Sequence, residues 1–275
     1  MKIDSHQHFW NYNAREYSWM KEGMGVLQRD FTPQDLASAQ AEIGFDGSVA
    51  VQARMTLEET RWLLELAAEH ETIRGVVGYV DLLSPDVGDQ VDEFKNDPKC
   101  VGMRHVVHDE PDDDFMLRDD FLNGLEAISR RGLAYDLLLF ERHLPVAIEV
   151  VSRLPDLRFV VDHVSKPLIR DGVLSPWDAN IGDLARLENV TCKLSGMVTE
   201  ADWDSWKPDD LEPYMTVVLE AFGPDRLMIG SDWPVCLVAG SYGSVMSVVV
   251  DFVERLSSDE QARILGGTCC EVYRL

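Results

Sequence analysis

Two histidines separated by one residue stand near the start of this 275-residue chain, in the run Ile3-Asp4-Ser5-His6-Gln7-His8-Phe9-Trp10. Paired imidazoles can hold a metal ion, bind an anion or polarise a carbonyl. In a β-strand residues i and i+2 share a face, so His6 and His8 project together if this run is a strand. The plainer reading is one ring satisfied by a backbone carbonyl and the other in solvent. Two later residues favour chemistry. His163 follows an apolar run in Val160-Val161-Asp162-His163-Val164, and Asp232 closes Leu227-Met228-Ile229-Gly230-Ser231-Asp232-Trp233. Three imidazoles and a carboxylate are acceptable ligands for one zinc ion with room for water, and such a carboxylate can also deprotonate water.

These residues need elements that bring them together. Short apolar runs alternate with longer amphipathic ones along the chain, the pattern of repeated βα units and a parallel sheet. The sequence predicts strands over 2–8, 47–53, 73–81, 100–107, 133–139, 158–164, 190–196 and 227–233, with helices over 57–69, 115–130, 143–153 and 213–222 between them. Helices over 242–256 and 259–275 are expected to close the structure. Eight such units in one domain spanning 1–275 predict a TIM (β/α)8 barrel, whose active site lies at the C-terminal ends of the strands. A dinucleotide-binding fold would want G-x-G-x-x-G after the first strand; His6-Gln7-His8-Phe9-Trp10 stands there instead. The segment 10–31 holds Trp10, Tyr12, Tyr17, Trp19 and Phe31. It is too long for an ordinary βα loop and too aromatic for disorder, so a pocket wall or lid is expected. The Asp-rich segment 109–119 reads as a solvated loop.

Polar residues at the predicted strand ends extend the candidate site. They are Gln52 and Arg54, Tyr79 and Asp81, Arg104 or His105 (which must point opposite ways), Tyr135 and Asp136, Lys193 and Ser195, and Trp233 beside Asp232. Lys193 is most simply explained as paired with a neighbouring carboxylate. Bulk properties narrow the partners. A net charge of −24 repels nucleic acid and anionic membranes. Five cysteines with no C-x-x-C spacing suggest neither a disulfide framework nor a zinc knuckle. No apolar run is long enough to span a membrane, and no apolar leader precedes the first strand, so a cytoplasmic protein is expected, either monomer or homo-oligomer.

Taken together, His6-Gln7-His8, Asp162-His163 and Gly230-Ser231-Asp232-Trp233-Pro234 resemble the marks of the amidohydrolase superfamily, over essentially the whole chain. Gly102-Met103-Arg104-His105, His163-x-x-Lys166-Pro167 and Lys193-Leu194-Ser195-Gly196 are similar to segments of its lactonase branch. The Trp-rich opening and Phe31-Thr32-Pro33-Gln34-Asp35-Leu36 look most like its sugar-lactone hydrolases, such as L-fucono- and L-rhamnono-lactonases. The resemblance implies hydrolysis of an L-fucono- or related lactone to the sugar acid. Asp232 would be general base and proton shuttle, and His6, His8 and His163 would polarise the carbonyl directly or through one divalent ion, zinc first. Members of this branch are known to work without metal, so the ion is conditional. The central strands lack the carbamylated lysine of two-metal relatives. Gln52, Arg54 and Arg104 are expected to bind substrate polar groups, and Trp10, Trp19 and Trp233 to wall the sugar ring. With only two arginines well placed, the expected partner is a neutral lactone rather than a dicarboxylate. The alternatives are a single-metal decarboxylase of aromatic carboxylates and a barrel that binds a sugar acid without turnover.

Overall fold

A computed structural model describes residues 1–275. Its eight strands form one parallel sheet in sequence order: β1 (Ile3–Gln7), β2 (Gly47–Val51), β3 (Ile73–Gly78), β4 (Cys100–His105), β5 (Ala134–Leu137), β6 (Arg158–Val161), β7 (Val190–Leu194) and β8 (Leu227–Ile229). The sheet closes through residues just past β8. The Asp232 amide donates to the His6 carbonyl at 2.9 Å, and the His8 amide to that of Trp233 at 2.6 Å. Around it run α1 (Pro33–Glu42), α2 (Leu57–Glu69), α3 (Val87–Phe94), α4 (Asp119–Arg130), α5 (Leu144–Arg153), α6 (Trp177–Ala185), α7 (Pro208–Phe222), α8 (Tyr242–Val253), α9 (Ser258–Ala262) and α10 (Thr268–Tyr273). This is the expected TIM barrel.

The floor of the barrel is apolar. Ile3, Val49, Val51, Val77, Val101, Ala134, Val160 and Met228 pack against Cys269, Val272 and Tyr273 of α10, which plugs the N-terminal end. Burying a large aliphatic side chain is worth about 1.5–3 kcal/mol, so this layer anchors the strands whose other ends carry the polar residues. The predicted final helix over 259–275 is interrupted by a wide turn at Arg263–Gly267. There Gly266 presses on the N-terminus, and a side chain on it would overlap the Met1 carbonyl oxygen.

Other boundaries also moved. Every strand ends before its predicted limit, because the residues beyond leave the ladder. His163, Val164, Ser165 and Lys166 all have positive φ, as do Gly196 and Asp232. Helix α7 begins at Pro208, five residues early, because proline is tolerated at the first helical position and Asp210 accepts the Lys207 amide at 2.8 Å. Arg118 is extended, which splits the predicted 115–130 helix. The 109–119 segment is largely solvated, as expected, but it is anchored: Phe115 and Met116 are buried, Glu110 accepts from His105 at 2.7 Å, and Asp113 binds Arg142 and His143.

The aromatic segment is pinned at both ends. Trp10 and Phe31 form an antiparallel bridge with bonds of 3.1 and 2.9 Å. Next to Phe31, Thr32 caps α1 reciprocally with Asp35, an arrangement that satisfies two orphan amide donors. Trp10 packs edge-on against Trp19 and Phe31, and its Nε1 donates to the Arg29 carbonyl at 2.9 Å.

Candidate active site

His6 on β1 and His8 just past its end reach the mouth of the barrel, and their hydrogen bonds fix their tautomers. His8 Nδ1 lies 2.8 Å from the Val51 carbonyl oxygen. A carbonyl only accepts, so Nδ1 carries the proton and Nε2 presents a lone pair. His6 Nδ1 lies 3.2 Å from Asp162 Oδ1. Burial pushes the Asp162 carboxyl up, but Lys193, His6 and Arg104 pull it well below the usual range. It is therefore ionised, and although Lys193 Nζ also lies 3.2 Å from His6 Nδ1, the Arg104 Nη1–H at 3.2 Å from Nε2 needs a lone pair there, which leaves the proton on Nδ1. The two Nε2 atoms face each other at 3.2 Å.

Asp232 and His163 complete the group. Asp232 Oδ1 is 3.3 Å from His8 Nε2, 3.7 Å from His163 Nε2 and 3.9 Å from His6 Nε2. His163 Nδ1 meets Ser195 Oγ at 2.8 Å. The ring fits only because residue 196 is glycine: a Cβ there would overlap His163 Nδ1, and its φ is +61°. Burial pushes His163 and His6 well below the ordinary imidazole value, so both rings are neutral at neutral pH. Any direct contact with an oxyanion would then come from a neutral ring N–H rather than an imidazolium. Burial raises the Asp232 carboxyl, but its neighbours, His163 first and Lys166 among them, bring it below its usual value, and it is ionised.

Beneath this group lies a buried ionic layer. Lys193 Nζ sits 2.5 Å from Asp136 Oδ2 and 3.0 Å from Asp162 Oδ1, as its sequence context suggested. Tyr273 Oη donates to Asp136 at 2.8 Å. Arg104 Nη1 is 2.9 Å from Asp162 Oδ2 and 3.2 Å from His6 Nε2. Arg104, not His105, faces inward; His105 points outward, stacked on Phe115.

The group opens into a cavity of about 470 Å³ lined by His8, His163, Asp232 and Arg104, and walled by Trp10 and Trp19. Three other predicted contacts lie elsewhere. Gln52 is fully buried, its Nε2 donating to the Arg104 carbonyl at 3.2 Å. Arg54 is held by Glu59 and Glu16, each at 2.5 Å. Trp233 packs edge-on against Phe31 and Phe9. The sequence reading overlooked Glu200, Trp203, His108 and Phe140 in the cavity lining, and used Lys166 only as a family mark. His108 stacks on Phe140 at 4.8 Å, and burial, then Lys166 and Arg104, push it down to about 3. The His163-x-x-Lys166 spacing could have flagged the lysine. No local signal marks Glu200, which arrives from a different loop.

The profile of the amidohydrolase family matches residues 3–275. The chain belongs to the amidohydrolase family. It is 43% identical to an L-fucono-1,5-lactonase of Burkholderia multivorans, covering all of this chain and 96% of the relative. An L-fucono-1,5-lactonase of Burkholderia ambifaria is 39% identical, with 100% and 96% covered. A crystal structure of a Burkholderia multivorans amidohydrolase with bound zinc superposes with a TM-score of 0.97 at 42% identity, over 100% of this chain and 99% of that one.

The donor set of this amidohydrolase fits one divalent cation. Two imidazole lone pairs facing at 3.2 Å repel, and a nearby cation relieves this, as Arg104 Nη1 already does at His6 Nε2. Ligand atoms about 2.0–2.1 Å from a tetrahedral zinc stand about 3.3 Å apart; those of His6, His8 and Asp232 form one close group with separations of 3.2 to 3.9 Å, while His163 Nε2, 3.7 Å from Asp232 Oδ1, stands outside that group. The His6 and His8 imidazoles also donate Nδ1–H to an acceptor, the outer-shell arrangement usual for metal-bound histidine. His6, Asp162 and His163 form a second close group, but its donors are spent, since Asp162 already holds Lys193, Arg104 and the His6 proton.

Proposed function

We propose that this amidohydrolase opens a neutral sugar lactone, L-fucono-1,5-lactone or a close relative, to the sugar acid. The observation that carries the reading is an ionised Asp232 at the floor of a Trp-walled cavity, encircled by His6, His8 and His163 Nε2. His8 Nε2 and Asp232 Oδ1 both accept, so a water held between them turns its oxygen lone pair toward the cavity. Asp232 takes the water proton as the oxygen attacks the lactone carbonyl. When Ser195 Oγ–H donates to His163 Nδ1, the His163 Nε2–H faces the developing oxyanion. The ring C–O bond then breaks, and Asp232 returns the proton to the leaving ring oxygen. His6, His8 and Asp232, with His163 beside them, would hold a divalent ion, which would supply Lewis acidity and a more acidic water.

A proton-release assay tests this. Neutral aldonolactones, L-fucono-1,5-lactone first, are assayed beside aromatic carboxylates. The expected result is acid release from lactones and no CO₂ from the aromatic acids. CO₂ release with the lactones untouched would move the protein to decarboxylation.

A further inference from the structure

The steps above leave one built feature of the cavity unused. Lys166 Nζ donates to Glu200 Oε1 at 2.6 Å, and both side chains line the cavity with only 14% and 22% of their surface exposed. We propose that this pair reads two neighbouring hydroxyls of the substrate, so that the preferred class is a neutral lactone bearing a vicinal diol. The inference rests on the lactonase reading and deepens it.

Hydrogen-bond capacity makes the match. An ammonium has three N–H donors and Lys166 spends one on Glu200; the carboxylate keeps free lone pairs. The pair therefore offers a donor and an acceptor one hydrogen-bond length apart. A gauche diol is the complement: one hydroxyl oxygen accepts from Lys166 while its neighbour donates to Glu200.

The pair is also fixed relative to the reacting centre. Lys166 ends the left-handed turn that begins at His163, and its amide donates to the His163 carbonyl at 2.7 Å. Four consecutive non-glycine residues at positive φ are costly, and such strain persists where the surroundings over-determine it, characteristically at functional sites. Glu200 is tied by its own amide to the Met197 carbonyl at 3.2 Å and by its carbonyl to the Arg170 amide at 3.0 Å.

Charge decides against an acidic substrate. The cavity lining carries Lys21, Arg104 and Lys166 against Asp109, Glu200 and Asp232. Arg104 is committed to Asp162, and Lys166 to Glu200. A substrate carboxylate would have to displace Glu200 and lie beside it.

The test compares kcat/KM for L-fucono-1,5-lactone with that for δ-valerolactone, which keeps the ring ester and lacks ring hydroxyls, in wild type, Glu200→Gln and Lys166→Met. The expected result is a fall of about 10- to 100-fold in that ratio for each variant, the size of a lost charged hydrogen bond, with KM for the hydroxylated lactone carrying most of it. An unchanged ratio in both variants overturns the subsite. Deoxy-lactones assayed on wild type give a reading independent of variant folding: two adjacent positions should each cost activity, and no loss at any adjacent pair overturns the inference. Wild type that opens neither lactone overturns the proposed function itself, a result distinct from either outcome above.

Discussion

The chemistry depends on a few residues held in backbone conformations that their side chains disfavour. Asp232 and residues 163–166 all have positive φ without being glycine, at about 1–2 kcal/mol each. The return is direction: the side chains of His163, Lys166 and Asp232 leave their strands and line the cavity at the barrel mouth. Gly196 has a different role, since only the absence of a Cβ leaves room for the His163 ring. Gly196→Ala should displace that ring and lower kcat for lactone hydrolysis about 100-fold, the usual effect of an ångström-scale misplacement, with the far-ultraviolet circular dichroism of the barrel retained. Full activity in a folded Gly196→Ala protein would remove His163 from the account. His163 and Asp232 were legible in the sequence because each follows an apolar run whose end is easily located, and His6 and His8 because their i, i+2 spacing puts them on one face of a strand. Gln52, Arg54 and Trp233 were read into the cavity from strand alternation. That alternation stops where the strand does, and each found a partner outside: the Arg104 carbonyl, Glu59 and Phe31.

At the scale of elements, the barrel's ends have different work. The floor is an apolar plug of α10 side chains, and just above it a fully buried Lys193 on β7 joins Asp136 of β5 to Asp162 after β6. Asp162 in turn holds His6 and Arg104, so this layer connects three strands to the catalytic group. Lys193→Met leaves two buried carboxylates without their shared cation. It should lower the unfolding free energy by about 3–5 kcal/mol, measured by urea denaturation; a midpoint equal to wild type would show that the layer is dispensable. Strand order and the barrel itself were readable from the alternation of apolar and amphipathic runs. Helix limits were less so, since the stops are set by tertiary events: Arg118 breaking the ladder before α4 and Met1 pressed against Gly266. Loop 10–31 showed its aromatic content but not its anchoring, because the Trp10–Phe31 bridge pairs residues far apart in sequence.

Across the whole molecule, a net charge of −24 sets a field that disfavours anionic substrates, and the cavity does not reverse it locally. No helix is long and apolar enough to cross a membrane. A neutral lactone reaches such a site without electrostatic cost, and the anionic sugar acid formed there is repelled by the same field, which favours its release. Catalysis therefore converges on one carboxylate in one cavity. General base catalysis contributes about 10²–10⁴-fold, so the most direct test is kcat for L-fucono-1,5-lactone in wild type and Asp232→Asn, followed by proton release. The account predicts turnover by wild type and a loss of at least about 100-fold in the variant. Near-wild-type turnover by a folded Asp232→Asn enzyme would contradict it.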